Sequence, residues 1–292
     1  MEKRKSKRNL LTIGTFNVRG LTQQVKMEQL SRDLIKYGVD ICALQETKII
    51  KGIDTNINRH RLISLQTDQR AYGNGFMIAP RIVDHIHRYW KVSDRISILQ
   101  INMDGIRKPN ISQPPTFTSS LKGMKMIVRK QPPKRLLNII NVYAPTTERV
   151  KHNMKELDDL YRNLSDIVNN FRNQASSITI IAGDINAKVC TSTGFENCLG
   201  QFSRGRRNNS GETLTNFCDI NDLFISNSAF QHPARHITTC VTPYKDKATN
   251  KIVKSYTQID YIITPRNKKH ILVDSRSYAG TEVSSDHRLI VT

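Results

Sequence analysis

The chain has 292 residues, of which 45 are Lys or Arg and 25 are Asp or Glu, giving a formal net charge of +20. This length suits one large domain or two, and we expect one. The excess of positive charge predicts a polyanionic partner and argues against an ordinary metabolic enzyme. No apolar run approaches the roughly 20 residues of a membrane-spanning helix, so no membrane contact is expected.

The five cysteines indicate neither a disulfide framework nor a zinc site, because their number is odd and no two form a CxxC pair. We expect reduced thiols in an intracellular protein. The basic run from Lys3 to Arg8 does not resemble a secretory leader and predicts a flexible solvated tail or a nuclear address. We therefore expect a nuclear protein with a tail over residues 1–9 and one domain over residues 10–292.

The first half of the domain predicts a β-α-β start followed mostly by strands. A helix is expected over residues 22–37, ending at Gly38. The apolar residues near one face of this helix are Val25, Leu30, Leu34 and Ile35. The predicted strands are residues 11–18, 40–47, 61–65, 75–79 and 95–103. Residues 104–135 are rich in proline, which favours an extended or disordered insertion outside the core.

The second half predicts strands with two helices between them. The clearest helix in the chain spans residues 148–171, where apolar residues recur every three or four positions, and another is expected over 210–220. The predicted strands are residues 136–143, 177–182, 224–228, 258–264, 271–275 and 288–291. The last of them is expected to be cut short where the sequence stops. The whole pattern predicts an α/β or α+β sandwich.

Polar residues repeatedly interrupt or end the apolar, β-branched runs. They are Asn17, Glu46, Asp184 with Asn186, Asp260, and Asp286 with His287. Because a carboxylate buried in a sheet without partners is costly, this repeated placement predicts one cluster on the rim of a sheet. Taken singly, Glu46 also suits a surface strand end, and Asp184 with Asn186 also suits a turn.

Such a cluster supplies what a hard divalent cation needs to hydrolyse a phosphate ester, namely oxygen ligands, an activator for water and donors to the phosphorus oxygens. Glu46 is a candidate ligand, and Asp184 can orient or deprotonate water. The candidate donors are Asn17, Tyr143, Asn186 and His287. A carboxylate such as Asp260 behind the imidazole would favour its charged form. A separate basic loop cluster, consisting of Arg204, Arg206 and Arg207, predicts contacts with nucleic-acid phosphates.

Six motifs resemble, in order, the signature blocks of the endonuclease/exonuclease/phosphatase superfamily. They are Thr15-Phe-Asn17, Leu44-Gln-Glu46-Thr, Asn141-Val-Tyr143-Ala-Pro145, Gly183-Asp184-Ile-Asn186, Gln258-Ile-Asp260-Tyr and Ser285-Asp286-His287. The resemblance spans almost the whole chain, and six blocks in order are highly specific where one would be weak. Residues 14–20 and 206–214 look most like the endonuclease domains of non-LTR retrotransposons and the related craniofacial development protein 2-like sequences.

The resemblance implies a four-layer α/β sandwich, with two packed β-sheets flanked by helices, that cuts phosphodiester bonds of DNA with Mg²⁺ or Mn²⁺. The implied metal ligands are Asn17, Glu46 and Asp286, and the implied catalytic residues are Tyr143, Asp184, Asn186, Asp260 and His287. Among these, Asp184 would activate the attacking water. His287, paired with Asp260, would stabilise the transition state.

The leading hypothesis is a DNA-nicking endonuclease of retrotransposon origin. The alternatives are an abasic-site repair-type nuclease or a phosphatase of the same superfamily, and a catalytically silent, domesticated nucleic-acid-binding protein. Thr239-Cys240 stands where many relatives carry Thr-Trp, so an aromatic contact to the substrate is expected to be missing. The fold alone does not separate these functions.

Overall fold

A computed structural model of the chain describes residues 10–69, 71–104, 106, 135–174, 176–190, 194, 196–246 and 249–292. The predicted tail over residues 1–9 and nearly all of the predicted insertion over 104–135 lie outside the described residues. The strands are β1 (Ile13–Asn17), β2 (Ile41–Gln45), β3 (Ile53–Ile57), β4 (His60–Ser64), β5 (Gly75–Ile78), β6 (Ile86–Lys91), β7 (Ile96–Asn102), β8 (Leu136–Tyr143), β9 (Ser177–Asp184), β10 (Leu223–Ile225), β11 (Cys240–Lys245), β12 (Ile252–Thr257), β13 (Asp260–Pro265), β14 (Arg276–Tyr278) and β15 (Leu289–Val291). The helices are α1 (Gln24–Tyr37), α2 (Pro80–Val83), α3 (Thr147–His152), α4 (Met154–Arg172), α5 (Asn209–Ile220) and α6 (Ala234–Ile237), with 3-10 turns over Ser226–Ser228 and Arg266–Ile271.

Two large mixed sheets carry the fold. The strand order is β14-β15-β1-β2-β5-β4-β3 in the first sheet and β10-β13-β9-β8-β7-β6 in the second. β1 runs parallel to β2 and β8 runs parallel to β9, whereas the other described neighbours in the two sheets are antiparallel. β11 and β12 form a separate two-stranded hairpin. Each sheet therefore has one central parallel pair, whose carboxyl ends lie at the same edge.

Three apolar clusters hold the layers together. One lies between the two sheets and includes Phe76 and Ile139. Another packs α1 onto the outer face of the first sheet through Leu30 and Leu34, and the third packs α3, α4 and α5 onto the outer face of the second sheet. The predicted α/β sandwich of two packed sheets flanked by helices is confirmed. Within the described residues, no helix combines the length and apolar character that crossing a bilayer requires.

The period-two pattern of β8 shows how one strand serves both sides of its sheet. Leu137 and Ile139 join the cluster between the sheets, whereas Ile140 and Val142 pack against the outer helices. Gly183 lies opposite Val142 on the neighbouring strand β9, where a Cβ atom would come within 1.9 Å of the Val142 carbonyl oxygen. Only glycine lets β9 pair closely with β8 directly before Asp184.

The predicted helix over 148–171 is two helices. Asn153 has φ −149° and ψ 80°, which is not helical, and it separates α3 from α4. The apolar spacing continues across this residue, so the period alone does not mark the break. In α1, Leu30 and Leu34 are buried as predicted, but Val25 and Ile35 are exposed.

The predicted strand over 271–275 is wrong. A 3-10 turn ends at Ile271, and strand pairing begins only at Arg276, which lies opposite Val291 of β15. An apolar run becomes a strand only where a neighbouring strand accepts its hydrogen bonds. The strands β3, β6, β11 and β12 were not predicted. In β11 a proline lies within the strand, which weakens the sequence signal for an edge hairpin.

Candidate active site

The candidate site lies at the edge where the parallel strands of both sheets end. Asn17 is the last residue of β1, and Glu46 directly follows β2. In the second sheet, Tyr143 and Asp184 end β8 and β9 and lie opposite one another. β13 is antiparallel to β9, so its first residue, Asp260, also lies opposite Asp184. Packing of the two sheets therefore brings these five side chains together, including Asn17, Glu46, Asp184 and Asp260 of the predicted rim cluster.

Asn17 links the two sheets. Its Nδ2 donates to Glu46 Oε1 at 2.9 Å and to Asp184 Oδ2 at 3.0 Å, and the residue is completely buried. Its Oδ1 accepts a hydrogen bond from the backbone nitrogen of Arg19 at 3.1 Å. The nitrogen of this amide, rather than its oxygen, faces the carboxylates. The predicted role of Asn17 as a metal ligand stays a prediction, and its observed role is to fix one carboxylate from each sheet.

Glu46 receives two hydrogen bonds on the same oxygen, because the Tyr143 hydroxyl also donates to Oε1 at 3.0 Å. Burial raises the pKa of Glu46, but the hydrogen bonds from Asn17 and Tyr143, together with the charges of Lys48 and Arg19, bring the pKa below its ordinary value. The backbone at Glu46 has φ 51°, in the left-handed region, which costs on the order of 1 kcal/mol or more for a side chain of this type. The Glu46 carboxylate is therefore ionised, as a cation ligand must be. Its backbone is held in a strained turn.

Arg95 contacts the backbone of Tyr143 and the neighbouring ring of Tyr72. Its NH1 donates to the Tyr143 carbonyl oxygen at 2.9 Å, and its Nε donates to Glu156 Oε1 at 2.8 Å. The guanidinium lies 4.6 Å from the ring centroid of Tyr72, which packs edge-on against Tyr143 at 6.0 Å. Arg95 is only 8% exposed, and the carboxylate of Glu156 compensates its buried charge. These contacts hold the rings of Tyr72 and Tyr143 in place and so position the Tyr143 hydroxyl.

Asp184 is buried and occupies the centre of the cluster. Its Oδ1 accepts from the backbone nitrogen of Asn186 at 3.1 Å, and its Oδ2 lies 3.8 Å from His287 Nε2. Burial and the negative charge of Asp260 raise the pKa of Asp184 above its usual range, although His287 and the hydrogen bonds oppose this. A carboxylate with a raised pKa is suited to take a proton from water near neutral pH. Asn186, at φ 52°, uses its side-chain nitrogen to donate to the Ala144 carbonyl oxygen at 3.0 Å.

His287 is paired with Asp260 as the sequence predicted. Its Nδ1 lies 2.9 Å and 3.1 Å from the two carboxylate oxygens of Asp260, and both residues are buried. Burial lowers the pKa of His287, but the charges of Asp260 and Asp184 raise it well above the ordinary value. Ser285 fixes the turn, because its hydroxyl donates to the Asn17 carbonyl oxygen at 2.8 Å and accepts from the His287 backbone nitrogen at 3.1 Å. A charged imidazole with an oriented Nε2 can donate to an oxyanion.

Two cations lie beside the carboxylates predicted to bind metal. Arg19 NH1 is 2.6 Å from Asp286 Oδ2, and Lys48 Nζ is 3.4 Å from Glu46 Oε2. The other Asp286 oxygen, Oδ1, is buried and has no hydrogen-bond partner among the described residues. A carboxylate oxygen left without a donor is open to a cation. Carboxylate oxygens are the donors that Mg²⁺ prefers, so the residues present fit this ion.

Two open clefts flank the cluster and offer space for an extended ligand. The first, of about 440 Å³, has a lining that includes Asn186, Lys188, Cys240 and Tyr244. The second, of about 850 Å³, contains four basic side chains and no acidic ones among its lining residues. Its basic residues are Arg19, Lys26, Lys48 and Lys51.

The three predicted phosphate-binding arginines differ in their surroundings. Arg207 is 2.6 Å from Glu196 and 3.3 Å from Glu212, and its Nε donates to a backbone carbonyl. Arg206 is exposed, and the Arg204 guanidinium lies 5.9 Å from the ring centroid of Tyr256. Within the described part of the chain, neither Arg204 nor Arg206 forms a salt bridge. Phosphate contact by these residues stays a prediction, with Arg204 and Arg206 the better placed.

Three residues of the site were not identified from the sequence. Arg19 and Lys48 each lie two residues after a predicted site residue, so their position beside the motifs is the signal that would have identified them. Arg95 only precedes the strand β7, and no local pattern distinguishes it from the many exposed arginines of the chain. Its role depends on side chains that the fold brings from distant positions.

Known proteins resemble this chain in sequence and in fold. No family model matches the chain. Craniofacial development protein 2 from Bos taurus is 27% identical over 285 residues, which are 96% of this chain and 40% of that protein, so the chain spans about two fifths of the curated relative. The endonuclease domain of TRAS1, a telomere-specific non-LTR retrotransposon, has a TM-score of 0.56 at 11% identity, with 97% of each chain covered.

A second solved structure, the AP endonuclease LMAP from Leishmania major, has a TM-score of 0.62 at 13% identity, covering 96% of this chain and 86% of that one. At such low identity, the likeness to both structures establishes the fold. The chain has the fold of these two endonuclease structures, and its likeness to them and to craniofacial development protein 2 agrees with the resemblance predicted from the six motifs.

The substitution Asn17→Asp tests the link between the sheets. It places a third carboxylate against Glu46 and Asp184, and we expect it to destabilise the metal-free protein by about 3 kcal/mol at about pH 8. The new carboxyl has a raised pKa in the folded state, so it is neutral and less harmful below that pKa. The deficit in the free energy of unfolding should therefore shrink toward about pH 5. Urea denaturation at both pH values measures it.

The matched control is Asn163→Asp, at an exposed position of α4, which adds the same charge. It should change the free energy of unfolding by less than about 0.5 kcal/mol at either pH. A deficit in Asn17→Asp that matches this control, or that stays constant with pH, would show that the amide does not hold the two carboxylates.

Proposed function

We propose that the chain is a Mg²⁺-dependent phosphodiesterase that nicks DNA. The observation that carries the proposal is the buried cluster at one sheet edge, in which Asn17 joins Glu46 to Asp184, and His287 lies between Asp184 and Asp260. This arrangement combines a cation ligand, a base for water and a charged donor. The fold shared with a retrotransposon endonuclease domain and an AP endonuclease supports the reaction class.

Glu46 and Asp286, with Asn17 as the third predicted ligand, are the residues that would hold Mg²⁺. When bound, the ion would polarise a phosphoryl oxygen and offset the charge that develops on it. Arg19 and Lys48 neutralise the same two carboxylates in its absence. Each cation lines the basic cleft next to the site, so each is placed to contact a substrate phosphate once it leaves its carboxylate.

The remaining chemistry belongs to Asp184 and Asp260, at the edge of the second sheet, and to His287, which precedes β15 of the first sheet. Asp184 takes a proton from the attacking water, because its raised pKa makes it a usable base and Asn17 and the Asn186 backbone keep it oriented. His287 donates through Nε2 to a phosphoryl oxygen as negative charge builds there. Asp260 holds Nδ1 and so keeps the imidazole charged and aimed at the phosphate.

DNA is the proposed substrate because both the charge of the chain and the shape of the site suit a long polyanion. The formal charge of +20 favours a polyanion, and the cleft beside Arg19 and Lys48 is basic throughout its charged lining. Both flanking clefts are open, which suits a continuous strand better than a small phosphate ester. Retrotransposon origin and a nuclear location are part of this proposal.

Variants at Glu46 and Asp184 separate metal binding from water activation. Glu46→Gln removes an anionic ligand, so it should raise the Mg²⁺ concentration needed for half-maximal nicking, and added Mg²⁺ should restore much of the rate. Asp184→Asn removes the base, so we expect a loss of roughly 10²–10⁴-fold that no Mg²⁺ concentration restores. Nicking of supercoiled plasmid across a Mg²⁺ titration measures both.

Glu148→Gln is the matched control, because this glutamate is exposed on α3 and pairs with Lys151 and His152 rather than with a residue of the cluster. Its Mg²⁺ dependence should match that of the wild type. Full restoration of Asp184→Asn by Mg²⁺, or a Glu46→Gln profile like that of the control, contradicts the assigned roles. Plasmid binding without any nicking by the wild type would instead support the silent nucleic-acid-binding protein.

His287→Ala removes a donor that acts on the transition state. We expect turnover to fall by roughly 10²–10⁴-fold with little change in the Kd for uncleaved DNA. Asp260→Asn should have a similar but smaller effect, because the imidazole loses its orienting partner and keeps its place. Single-turnover cleavage and binding by anisotropy measure the two quantities, with the exposed His270→Ala as the control. A proportional loss of binding and turnover would refute the transition-state role.

A further inference from the structure

A second set of ligand atoms lies beside the catalytic cluster. Cys240 opens β11, and its backbone bridges to His287, while the Val241 nitrogen donates to the Asp286 carbonyl oxygen at 2.8 Å. This pairing places the Cys240 thiol, a carboxylate oxygen of Asp286 and an imidazole nitrogen of His287 within 4.8 Å of one another. Cys240 and His287 are buried, and Asp286 is half-buried.

The spacing of these atoms is close to that of a tetrahedral zinc site. With Zn–N and Zn–O bonds near 2.0–2.1 Å and a Zn–S bond near 2.3 Å, ligand atoms lie about 3.3–3.6 Å apart. His287 Nε2 and Asp286 Oδ1 are already 3.9 Å apart. Because no pair of the three ligand atoms is more than 4.8 Å apart, closing each separation to the tetrahedral spacing takes a change of about 1.5 Å or less. The fourth position can be taken by water from the 440 Å³ cleft that Cys240 lines.

The surroundings of these atoms favour a cation. Asp286 Oδ1 is buried without a hydrogen-bond partner in the described part of the chain, while Arg19 holds the other oxygen. Asp260 binds His287 Nδ1, and a carboxylate behind the imidazole in this way leaves Nε2 for the metal and makes it a better ligand.

We propose that Cys240, Asp286 and His287 form a Zn²⁺ site that overlaps the catalytic cluster and inhibits it when occupied. The thiolate selects a thiophilic ion over Mg²⁺, which prefers oxygen ligands only. Zinc binding displaces the protons of the thiol and of Nε2, which the raised pKa of His287 opposes, and the new metal–ligand bonds must outweigh that cost.

Inhibition follows from shared residues, and this half of the proposal rests on the proposed function. An Nε2 atom bonded to zinc has no proton to donate to a phosphoryl oxygen. Asp286, once bound to zinc, is also lost as a ligand for Mg²⁺. Loss of either contribution lowers turnover without closing the clefts that DNA would occupy.

The binding half is tested with Co²⁺, a spectroscopic substitute for zinc, added to reduced, metal-free protein. Wild type and Cys190→Ser should both show a thiolate-to-cobalt charge-transfer absorption that saturates at one equivalent and disappears when Zn²⁺ is added. Cys190 is the partly exposed cysteine and controls for adventitious thiol binding. Cys240→Ser should lack the absorption. Its thermal melt and circular dichroism check that it folds, and Cys240→Ala replaces it if it does not.

Absence of the absorption in the wild type, or its persistence in a folded Cys240 variant, overturns the site. The inhibitory half is measured as the ratio of Mg²⁺-dependent nicking with and without one equivalent of Zn²⁺. We expect a loss of at least roughly tenfold in the wild type and in Cys190→Ser, and less than about twofold in Cys240→Ser. Equal inhibition of all three overturns the inhibitory role. If the wild type does not nick DNA, the proposed function fails, and the Co²⁺ titration still decides the zinc site.

Discussion

The geometry of the site depends on one buried amide, that of Asn17, which donates to a carboxylate from each sheet. Glu46 and Asp184 keep their separation only while the two sheets keep their packing. A second polar link lies just behind, where Gln45 donates to Asn141 Oδ1 at 2.7 Å and Asn141 donates to the Leu44 carbonyl oxygen at 2.9 Å. Buried polar groups are costly when they are unpaired. These bonds therefore favour one position of the first sheet relative to the second.

The cluster concentrates carboxylates in the buried part of the site, where a negative charge costs free energy of folding. Asp184 and Asp260 both lie beside His287. Burial and the charge of Asp260 raise the pKa of Asp184, and the charges of both aspartates raise the pKa of His287. Arg19 and Lys48 offset the outer carboxylates. A divalent cation would bind the same carboxylates, so the metal would compete with these two cations for one set of oxygens, and substrate phosphates would compete with the carboxylates for Arg19 and Lys48. Burying these charges costs stability, and the proposed function would use the fixed charges that result.

Much of the fold and the identity of the clustered residues could be predicted, because strand periodicity and strand-end polar residues are local signals. The sandwich and the pairing of His287 with Asp260 agree with that prediction. The break at Asn153 could not be predicted, since the apolar spacing continues through it. Nor could Arg95 or the direction of the Asn17 amide, because both depend on side chains brought together by packing. The exposed β11–β12 hairpin contributes little to any core, so its sequence carries little strand signal.

The most direct test of the central claim is the conversion of supercoiled plasmid to open circle by the wild-type chain, with DNA binding measured in the same solution. We expect nicking that begins when Mg²⁺ is added and stops when a chelator removes it, while binding changes little. Nicking that persists in chelator would contradict the role given to the cluster. Binding without nicking at any Mg²⁺ or Mn²⁺ concentration would show that the cluster is not a phosphodiesterase site.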